Sequence, residues 1–410
     1  MSALSLGGLR VFDMTRILAG PSCTQILGDL GADVIKVERA GAGDDTRKWG
    51  PPYLKDSHGK QTGESAYYLA VNRNKRSITL DFAKPEGRDL ALRLIEKCDV
   101  LVENFKTGDL RKYGLAYEQL RERFPRLVYC SITGFGQTGP YAARAGYDLL
   151  AQGMGGIMSI TGQPEGKPGS EPMKVGVGIT DIMTGMYSAV AILAALRHRD
   201  RTGEGQHIDM ALLDTQVAWL ANEGMNYLLS GVTPERRGNA HPNIVPYSVY
   251  PCADGYVIVA VGNDSQFQKL CTFAGRPELG QDPRFLTNPL RLANRDACDA
   301  AVASLTKTRT QAHWVEGLAK LAVPCSPVNR IDQVFADPQV KARAMTVRMR
   351  HAATGVDVPI LASPIKMSAT PPTYRRAPPV CGQDTDEVLH ELLGIDGKEL
   401  EALRARGAVS

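Results

Sequence analysis

The 410-residue sequence lacks the charge excess, the long apolar runs and the N-terminal pattern that mark several classes of protein. Lys and Arg number 48 and Asp and Glu number 44, and this scattered net charge of +4 argues against a nucleic-acid-binding protein. No run approaches the ~18 apolar residues of a membrane span, and the first residues have neither the basic start nor the apolar stretch of a signal peptide. We therefore expect a cytoplasmic protein with no membrane partner and no nucleic-acid partner.

Cysteine and histidine are present, but not in the spacings that metal sites and redox motifs require. None of the eight cysteines forms a Cys-x-x-Cys pair, and the seven histidines show no metal-ligand spacing. The sequence therefore predicts no metal site, and it predicts free thiols in a reducing compartment.

The common nucleotide-binding and hydrolase signatures are also missing. Walker A, His-Glu-x-x-His and Gly-x-Ser-x-Gly patterns do not occur. Glu38 lies eighteen positions after Gly20, about where a dinucleotide-binding acid would be, but the turn contains Pro21 and no Gly-x-Gly-x-x-Gly. Because proline has no N–H to offer a pyrophosphate, NAD and FAD are disfavoured.

The sequence does contain a regular alternation of strand and helix patterns in its first half. Short apolar runs predict strands at 9–12, 34–37, 77–80, 100–102, 127–130 and 208–211. Helical patterns cover 24–30, 85–95, the Ala- and Met-rich run 181–196, and 212–229. Such alternation predicts an α/β fold with a Rossmann-like, doubly wound parallel sheet.

The character of the sequence changes twice after this region. A loop rich in Pro, Gly, Asn and Arg covers 234–246, and a strand at 257–261 and helical patterns follow it. We therefore predict a large domain over 1–225 and a smaller α+β domain over 226–325. The Pro-rich segment 326–410 has too few regular elements to fold alone, so we expect it to return to the large domain.

Basic residues follow several of the predicted strands. Arg39 comes after the second strand, and Lys106 comes after the strand at 100–102. Because ligands of parallel sheets gather at the carboxyl ends of the strands, these cations would suit a ligand with several phosphates. For any single residue, a solvated surface charge is the alternative.

Asp181 has two interpretations. It opens the apolar helix after a glycine-containing segment, with Gly185 one turn inside. Asp is a favoured helix N-cap, because its carboxylate accepts backbone N–H groups and complements the helix dipole. The same carboxylate at the edge of a glycine-lined cleft would serve as a nucleophile. Spacing alone favours the cap.

Nine blocks of this sequence, in order along the chain, resemble the class III coenzyme A transferases. They are 9–16, 19–25, 31–38, 74–81, 102–105, 133–140, 146–148, 181–186 and 201–206. A weaker likeness continues through the rest of the chain. The loop 236–247 is similar to that of the branch that contains succinate–hydroxymethylglutarate CoA-transferase.

The resemblance implies a reaction and a nucleophile. The family moves coenzyme A from an acyl-CoA to a free carboxylate, and the Asp of its Asp-x-x-x-Gly block matches Asp181. Its mechanism implies a mixed anhydride and then a CoA thioester on Asp181, with no metal and no tightly bound cofactor. Succinyl-CoA is the expected donor, and the expected acceptor is a short dicarboxylate such as glutarate or hydroxymethylglutarate.

Ten positions match family contacts to CoA. They are Leu18, Ala19, Arg39, Leu80, Asn104, Phe105, Lys106, Lys112, Ala145 and Tyr147. Leu18 replaces a Gln of some transferases, which removes a polar contact. Lys112 replaces an Arg, which keeps the charge but loses the bidentate fork.

The same family contains α-methylacyl-CoA racemases, which use a His where this chain has Tyr147. A tyrosine, with an ordinary pKa near ~10, is a poor base at pH 7, so Tyr147 favours a transferase over a racemase. In the loop 236–247, Arg236 or Arg237 would pair with the distal carboxylate of a dicarboxylate, and solvent exposure is the alternative for each. His241 is either a substrate contact or a loop-packing residue.

The resemblance also implies an assembly. Family members form interlocked, ring-shaped homodimers with the active site between subunits, so a monomer is expected to be inactive. A non-catalytic CoA-binding subunit of a transferase pair is a further alternative, and the presence of Asp181 argues against it.

Overall fold

The computed structural model describes residues 4–410, which group into two compact units. The first unit contains the chain up to Ile157, Lys174–Met225 and Ala342–Ser410, and the second contains Met158–Met173 and Asn226–Lys341. The chain passes from the first unit to the second between Met225 and Asn226, where the small domain is expected to begin, whereas 158–173 and 326–341, expected in the large domain, group with the second unit. One link is a backbone bond from Gly238 N–H to the Gly162 carbonyl (2.9 Å), which joins segments far apart in sequence.

The helices and strands are as follows. Up to residue 211 they are β1 (Arg10–Asp13), α1 (Ala19–Asp29), β2 (Asp33–Glu38), β3 (Tyr53–Lys55), β4 (Gln61–Ser65), α2 (Ala66–Ala70), β5 (Lys75–Thr79), α3 (Pro85–Ile95), β6 (Val100–Glu103), α4 (Tyr117–Leu120), β7 (Val128–Thr133), α5 (Asp148–Met154), α6 (Ile157–Ile160), α7 (Ile179–Thr202) and β8 (His207–Ala211). Beyond it they are α8 (Leu212–Ala218), α9 (Ala221–Ser230), β9 (Tyr247–Cys252), β10 (Gly255–Ala260), α10 (Asp264–Phe273), α11 (Asn288–Ala293), α12 (Arg295–Thr306), α13 (Gln311–Lys320), β11 (Cys325–Pro327), α14 (Ile331–Ala336), α15 (Pro338–Ala342), β12 (Thr346–Arg350), β13 (Asp357–Leu361), α16 (Thr385–Leu393) and α17 (Gly397–Ala405). Short 3₁₀ segments cover Asp45–Lys48, Asp109–Tyr113 and Pro277–Gln281.

A six-stranded parallel sheet forms the centre of the first unit, in the order β5-β2-β1-β6-β7-β8. Counted along the chain, these strands have the order 3-2-1-4-5-6, in which the direction of winding reverses between β1 and β6. The predicted α/β fold with a parallel sheet is therefore confirmed. In such sheets, the point of reversal opens a crevice at the carboxyl ends of the strands.

Helices cover both faces of this sheet. In strand β1, the neighbouring residues Val11 and Phe12 point to opposite faces of the sheet, and both are buried, so each face has to be covered. Phe12 packs in one apolar cluster with Leu94 of α3, Leu389 of α16 and Leu403 of α17. The other face packs against α1 and α7. The C-terminal helices thus complete the core of the first unit.

Helix α7 crosses α1 closely and lies in this core. A Cβ at Gly185 would lie 2.5 Å from the Ala19 carbonyl oxygen, so only glycine permits the approach. By length and composition alone α7 could also span a membrane, a test that core helices of soluble proteins pass as well. Its buried residues include Ala189, Ile192 and Ala195, which pack in the core beneath the sheet.

The second unit has its own core around an antiparallel sheet in the order β11-β10-β9. Trp314 of α13 is fully buried there, and its indole N–H donates to the Thr306 carbonyl at 2.8 Å. The small unit is therefore of the α+β type.

Candidate active site

Two neighbouring cavities lie at the carboxyl ends of the parallel strands. The first, of about 360 Å³, is lined by residues that follow β1, β2, β5 and β6. The second, of about 510 Å³, is lined by residues that follow β1, β6 and β7, and by Asp181 at the start of α7. Arg16 and Phe105 line both cavities. The cavities therefore occupy the crevice that the reversal of winding between β1 and β6 creates.

All ten positions expected to contact CoA line one of these cavities. Arg39, Leu80 and Lys112 line the first, Leu18, Ala19, Asn104, Lys106, Ala145 and Tyr147 line the second, and Phe105 lines both. The fold thus brings together residues from six separate segments of the sequence. Which of them contact CoA stays a prediction.

The first cavity combines aromatic rings with cations. Phe82 packs edge-to-face against Phe105 and Tyr113, with ring centroids 5.8 and 5.1 Å apart. Arg39 is exposed, and its nearest carboxylate, on Asp45, is 3.8 Å away. Lys112 lies 4.9 Å from the centre of the Tyr113 ring. Apolar rings beside exposed cations suit a ligand that carries both a flat ring and phosphates.

Asp181 is the third residue of α7, and the N-cap of that helix is Gly178. The cap interpretation of Asp181 is therefore wrong. The capping carboxylate is supplied by Asp148, at the start of α5, whose Oδ1 accepts the N–H groups of Thr180 (2.9 Å) and Asp181 (3.2 Å). The amide of Gln152 donates to the other oxygen of Asp148 at 2.6 Å. Asp148 is thereby held at the helix start, and the carboxylate of Asp181 is left available.

The carboxylate of Asp181 is buried and has no partner among the described residues. It is 9% exposed, and no residue between 4 and 410 donates a hydrogen bond to it or forms an ion pair with it. Burial, together with the nearby negative charge of Asp148, raises the pKa of Asp181 to about 7. Buried carboxylates without a partner are unfavourable, and they are found where function requires them.

A close crossing of two glycines forms part of the same wall. A Cβ at Gly134, after β7, would lie 2.4 Å from the Cα of Gly146, just before α5. Both residues line the second cavity. This contact places the segment 144–147, and with it Tyr147, beside the end of the sheet.

Comparisons with known proteins agree with this site. The sequence profile of the family described as CoA-transferase family III matches residues 6–385. A succinate–glutarate CoA-transferase of Agrobacterium fabrum is 51% identical over 391 residues, which cover 95% of this chain and 96% of that protein. The human succinyl-CoA:glutarate CoA-transferase is 42% identical, over 98% of this chain and 90% of its own length. The crystal structure of a CAIB/BAIF family protein from Brucella suis superposes with a TM-score of 0.84 at 50% identity, covering 96% of this chain and all of that one.

The chain belongs to CoA-transferase family III. The family predicted from the sequence blocks, and the prediction that the chain is a CoA-transferase enzyme, are therefore confirmed.

Two predicted substrate contacts of this transferase, Arg237 and His241, belong to the second unit. Arg237 is exposed, whereas the ring of His241 stacks on Tyr247 with centroids 5.1 Å apart, and its Nδ1 accepts the Asn243 N–H at 3.1 Å. Neither residue lines either cavity. Their role as substrate contacts stays a prediction.

Sequence reasoning missed two aromatic residues and the role of Asp148. Trp49 lines the second cavity, and its ring packs edge-to-face on Tyr67 at 5.2 Å. The negative charge of Asp181 acts on Tyr67, whose pKa is raised chiefly by burial. No local pattern signals these residues, because Trp49 reaches the cavity at the end of the 3₁₀ turn Asp45–Lys48, and Tyr67 contacts Trp49 from α2, beyond the hairpin β3–β4.

The transferase shows no metal-ligand cluster in the part of the chain that the structure describes. Its eight cysteines are free thiols. Burial raises the pKa of several of these thiols, Cys23 and Cys130 among them.

Proposed function

We propose that this enzyme transfers coenzyme A from succinyl-CoA to a short dicarboxylate, with glutarate as the first acceptor to test. The observation that carries the proposal is the unpartnered carboxylate of Asp181 in the wall of a cavity that predicted CoA contacts line. Relatives named for succinyl-CoA and glutarate match this chain along nearly its whole length, which supports the choice of substrates.

The first half of the reaction would load CoA onto Asp181. The carboxylate attacks the thioester carbon of succinyl-CoA, the C–S bond breaks, and a mixed anhydride forms while CoA leaves as a thiolate. The thiolate then attacks the Asp181 carbonyl carbon of the anhydride. Succinate leaves, and Asp181 carries CoA as a thioester.

The second half reverses these steps with the acceptor. A glutarate carboxylate attacks the thioester of Asp181, releases the CoA thiolate and forms a second anhydride. The thiolate attacks the glutaryl carbon, which yields glutaryl-CoA and regenerates the Asp181 carboxylate. Each step exchanges one activated acyl group for another, so no external energy source, metal or tightly bound cofactor enters the balance.

The two cavities provide room for the two ends of CoA. In this arrangement, the adenine ring lies against the aromatic cluster of Phe82, Phe105 and Tyr113, with the phosphates near Arg39 and Lys112. The pantetheine arm then passes Phe105 and Arg16, which line both cavities, and its sulfur reaches Asp181 in the second cavity.

Incubation with succinyl-CoA and glutarate, followed by mass spectrometry of the CoA esters, tests the proposal. Glutaryl-CoA and succinate should appear in equal amounts, and intact-protein mass spectrometry should detect CoA bound to Asp181 when the acceptor is left out. Butyryl-CoA is the matched donor, because it differs from succinyl-CoA mainly in the distal carboxylate. Equal kcat/KM for the two donors, with no preference for dicarboxylate acceptors, would remove the substrate assignment and leave a general CoA-transferase.

A racemase is not supported by Tyr147, the residue at the position where the racemases have a histidine. Tyr147 occupies that position with its side chain 61% exposed, and it replaces the imidazole that the racemases use as an acid/base group. Incubation of a chiral 2-methylacyl-CoA in D₂O should therefore leave its α-proton unexchanged. The available carboxylate of Asp181 likewise favours a catalytic chain over a non-catalytic subunit.

The proposal includes an interlocked homodimer in the cytoplasm. Helix α7 exposes Met186, Tyr187 and Val190, and α5 exposes Leu149 and Leu150. Such exposed apolar side chains on two neighbouring helices favour burial against a second copy. Light scattering during gel filtration should give about twice the 44.4 kDa mass of the chain.

A further inference from the structure

A strained turn connects β1 to α1 and lines both cavities. Ile17 has φ +73°, and among residues 4–410 it is the one β-branched residue with a positive φ. A β-branched side chain disfavours the left-handed region strongly, so the surrounding structure has to hold this conformation. The residues on each side, Arg16, Leu18 and Ala19, line the second cavity together with Asp181.

Four side chains hold the backbone of this turn, and three of them, Asp13, Lys36 and Asp44, are buried. The Asp13 carboxylate accepts the Thr15 N–H at 2.9 Å, and the Lys36 ammonium donates to the Thr15 carbonyl at 2.9 Å. The Asn104 amide bonds both backbone groups of Arg16, at 3.0 and 2.7 Å. The N–H of Ile17 itself donates to Oδ1 of Asp44 at 3.3 Å.

Lys36 and Asp44 form one unit. Their charged atoms are 2.9 Å apart, and both side chains are fully buried. The Asp44 carboxylate uses Oδ2 for Lys36 and Oδ1 for Ile17, while the N–H and hydroxyl of Thr46 also donate to Oδ1, at 3.0 and 2.8 Å. The pair therefore joins the strained turn to β2 and to the 3₁₀ turn behind it.

We propose that the buried Lys36–Asp44 pair is a positioning device for the turn Met14–Leu18, and that it sets the placement of the reacting acyl-CoA group beside Asp181. Neither residue touches the reacting atoms in this assignment. The pair acts through the backbone of Thr15 and Ile17, and the inference rests on the transferase reaction proposed above.

Asp44→Asn tests the proposal with Asp29→Asn as its matched control. An asparagine has one acceptor oxygen, so its NH₂ group must face either the ammonium of Lys36 or the N–H of Ile17. The Asp29 carboxylate forms a similarly buried ion pair with Arg73, at the far end of α1, and lines neither cavity. Both substitutions remove one charge from a buried pair, and only Asp44→Asn loosens the turn.

For Asp44→Asn we expect kcat with succinyl-CoA and glutarate to fall at least ~10-fold, since misplacement of reacting groups by 1 Å costs up to ~100-fold. Lys36 and Asp44 also line the first cavity, so calorimetric affinity for free CoA reports any direct effect there, and it should change by a smaller factor than kcat does. Hydrogen exchange of a peptide covering 14–19 should be faster. Asp29→Asn should leave kcat and this exchange unchanged. If both variants lose kcat to the same degree, or if neither alters exchange at 14–19, the proposal is overturned.

Two additional variants keep the test decisive. Glycine adopts a positive φ without strain. The loss in kcat from Asp44→Asn should therefore be smaller when Ile17→Gly is also present, and an equal loss would contradict the proposal.

Lys36→Met serves if Asp44→Asn does not fold, because it leaves Asp44 its other donors. This variant should still lower kcat and speed hydrogen exchange at 14–19, and its failure to do so overturns the proposal. Absence of transfer in the wild-type protein would refute the proposed substrates, whereas the exchange measurements would still test the turn.

Discussion

Two regions at the carboxyl edge of the sheet contain buried carboxylates, and their surroundings shift the pKa values of these carboxylates in opposite directions. Around the first cavity, burial alone would raise the pKa of Asp44, but Lys36 and the hydrogen bonds of Thr46 outweigh it and lower that pKa to about 2. Beside the second cavity, the described residues offer the Asp181 carboxylate no cation and no donor, and burial raises its pKa to about 7. The difference indicates which carboxylates support the fold and which one is available to react.

Removal of the unpaired carboxylate should have the largest effect. Asp181→Asn keeps the size of the side chain and removes the nucleophile, so we expect succinyl-CoA:glutarate transfer to fall at least ~10³-fold, as for other enzymes that lose a covalent nucleophile. Glutaryl-CoA formation measures this loss. Affinity for free CoA, measured by calorimetry, should stay within about twofold of the wild type. A variant that keeps a tenth of the activity would show that another group carries the acyl chain.

Removal of a cation from the paired region should instead lower stability. Arg47 is buried between Glu38 and Glu64 and lies 3.7 Å above the Tyr68 ring. Arg47→Met leaves both carboxylates without their partner, so we expect a loss of about 3–5 kcal/mol in the free energy of unfolding. Urea denaturation followed by fluorescence measures it.

The control for this stability measurement is an exposed ion pair. Arg330 and Asp332 are 2.7 Å apart with side chains 73% and 66% exposed, so Arg330→Met should change the free energy by less than ~1 kcal/mol. Similar losses for Arg47→Met and Arg330→Met would mean that burial does not distinguish the two pairs.

Much of this architecture was predictable, because the signals for it are local. Helix α3 begins at Pro85 and ends at Ile95, as predicted, since proline at the first turn and an apolar stripe define it within one segment. The pattern of 212–229 predicts one helix, whereas the structure has two, because the backbone turns at Ala221, where φ is +45°. Alanine gives no sequence signal for such a turn.

The candidate site shows the limit of local signals more sharply. Asp181 has the residue type and position of a helix cap, yet the cap comes from Asp148, which is 33 residues earlier in the chain. The Asp181 carboxylate is available for chemistry because Asp148, which is distant in the sequence, accepts the N–H groups at the helix start instead. The pairing of Asp44 with Lys36 likewise requires the fold of the turn after β2, and no spacing rule predicts it.

Because the pKa of Asp181 is raised while that of Asp44 is lowered, removal of the Asp181 charge should increase the stability of the fold instead of lowering it. The pKa of Asp181 is higher in the folded protein than in the unfolded chain, so the folded state binds that proton more tightly, and the wild type loses stability as the pH rises from about 4 to about 7. Asp181→Asn removes this loss. We expect the variant to be more stable than the wild type at pH 8, by on the order of 2–4 kcal/mol, and equally stable near pH 4. Thermal and urea unfolding at both values measure the difference. Equal stability at pH 8 would contradict a raised pKa at Asp181.

The smallest effect on the transferase reaction is expected for Arg39, whose charge is neither buried nor closely paired. Arg39 lines the first cavity with its side chain 66% exposed. Contacts to phosphate are made in the ground state and in the transition state alike, so Arg39→Ala should raise the KM for succinyl-CoA by ~3–10-fold and leave kcat nearly unchanged. Arg111→Ala is the matched control, because Arg111 is 70% exposed and lines neither cavity. If the two variants have the same KM, Arg39 is a solvated surface charge, and the phosphates of CoA are held by other groups in the first cavity.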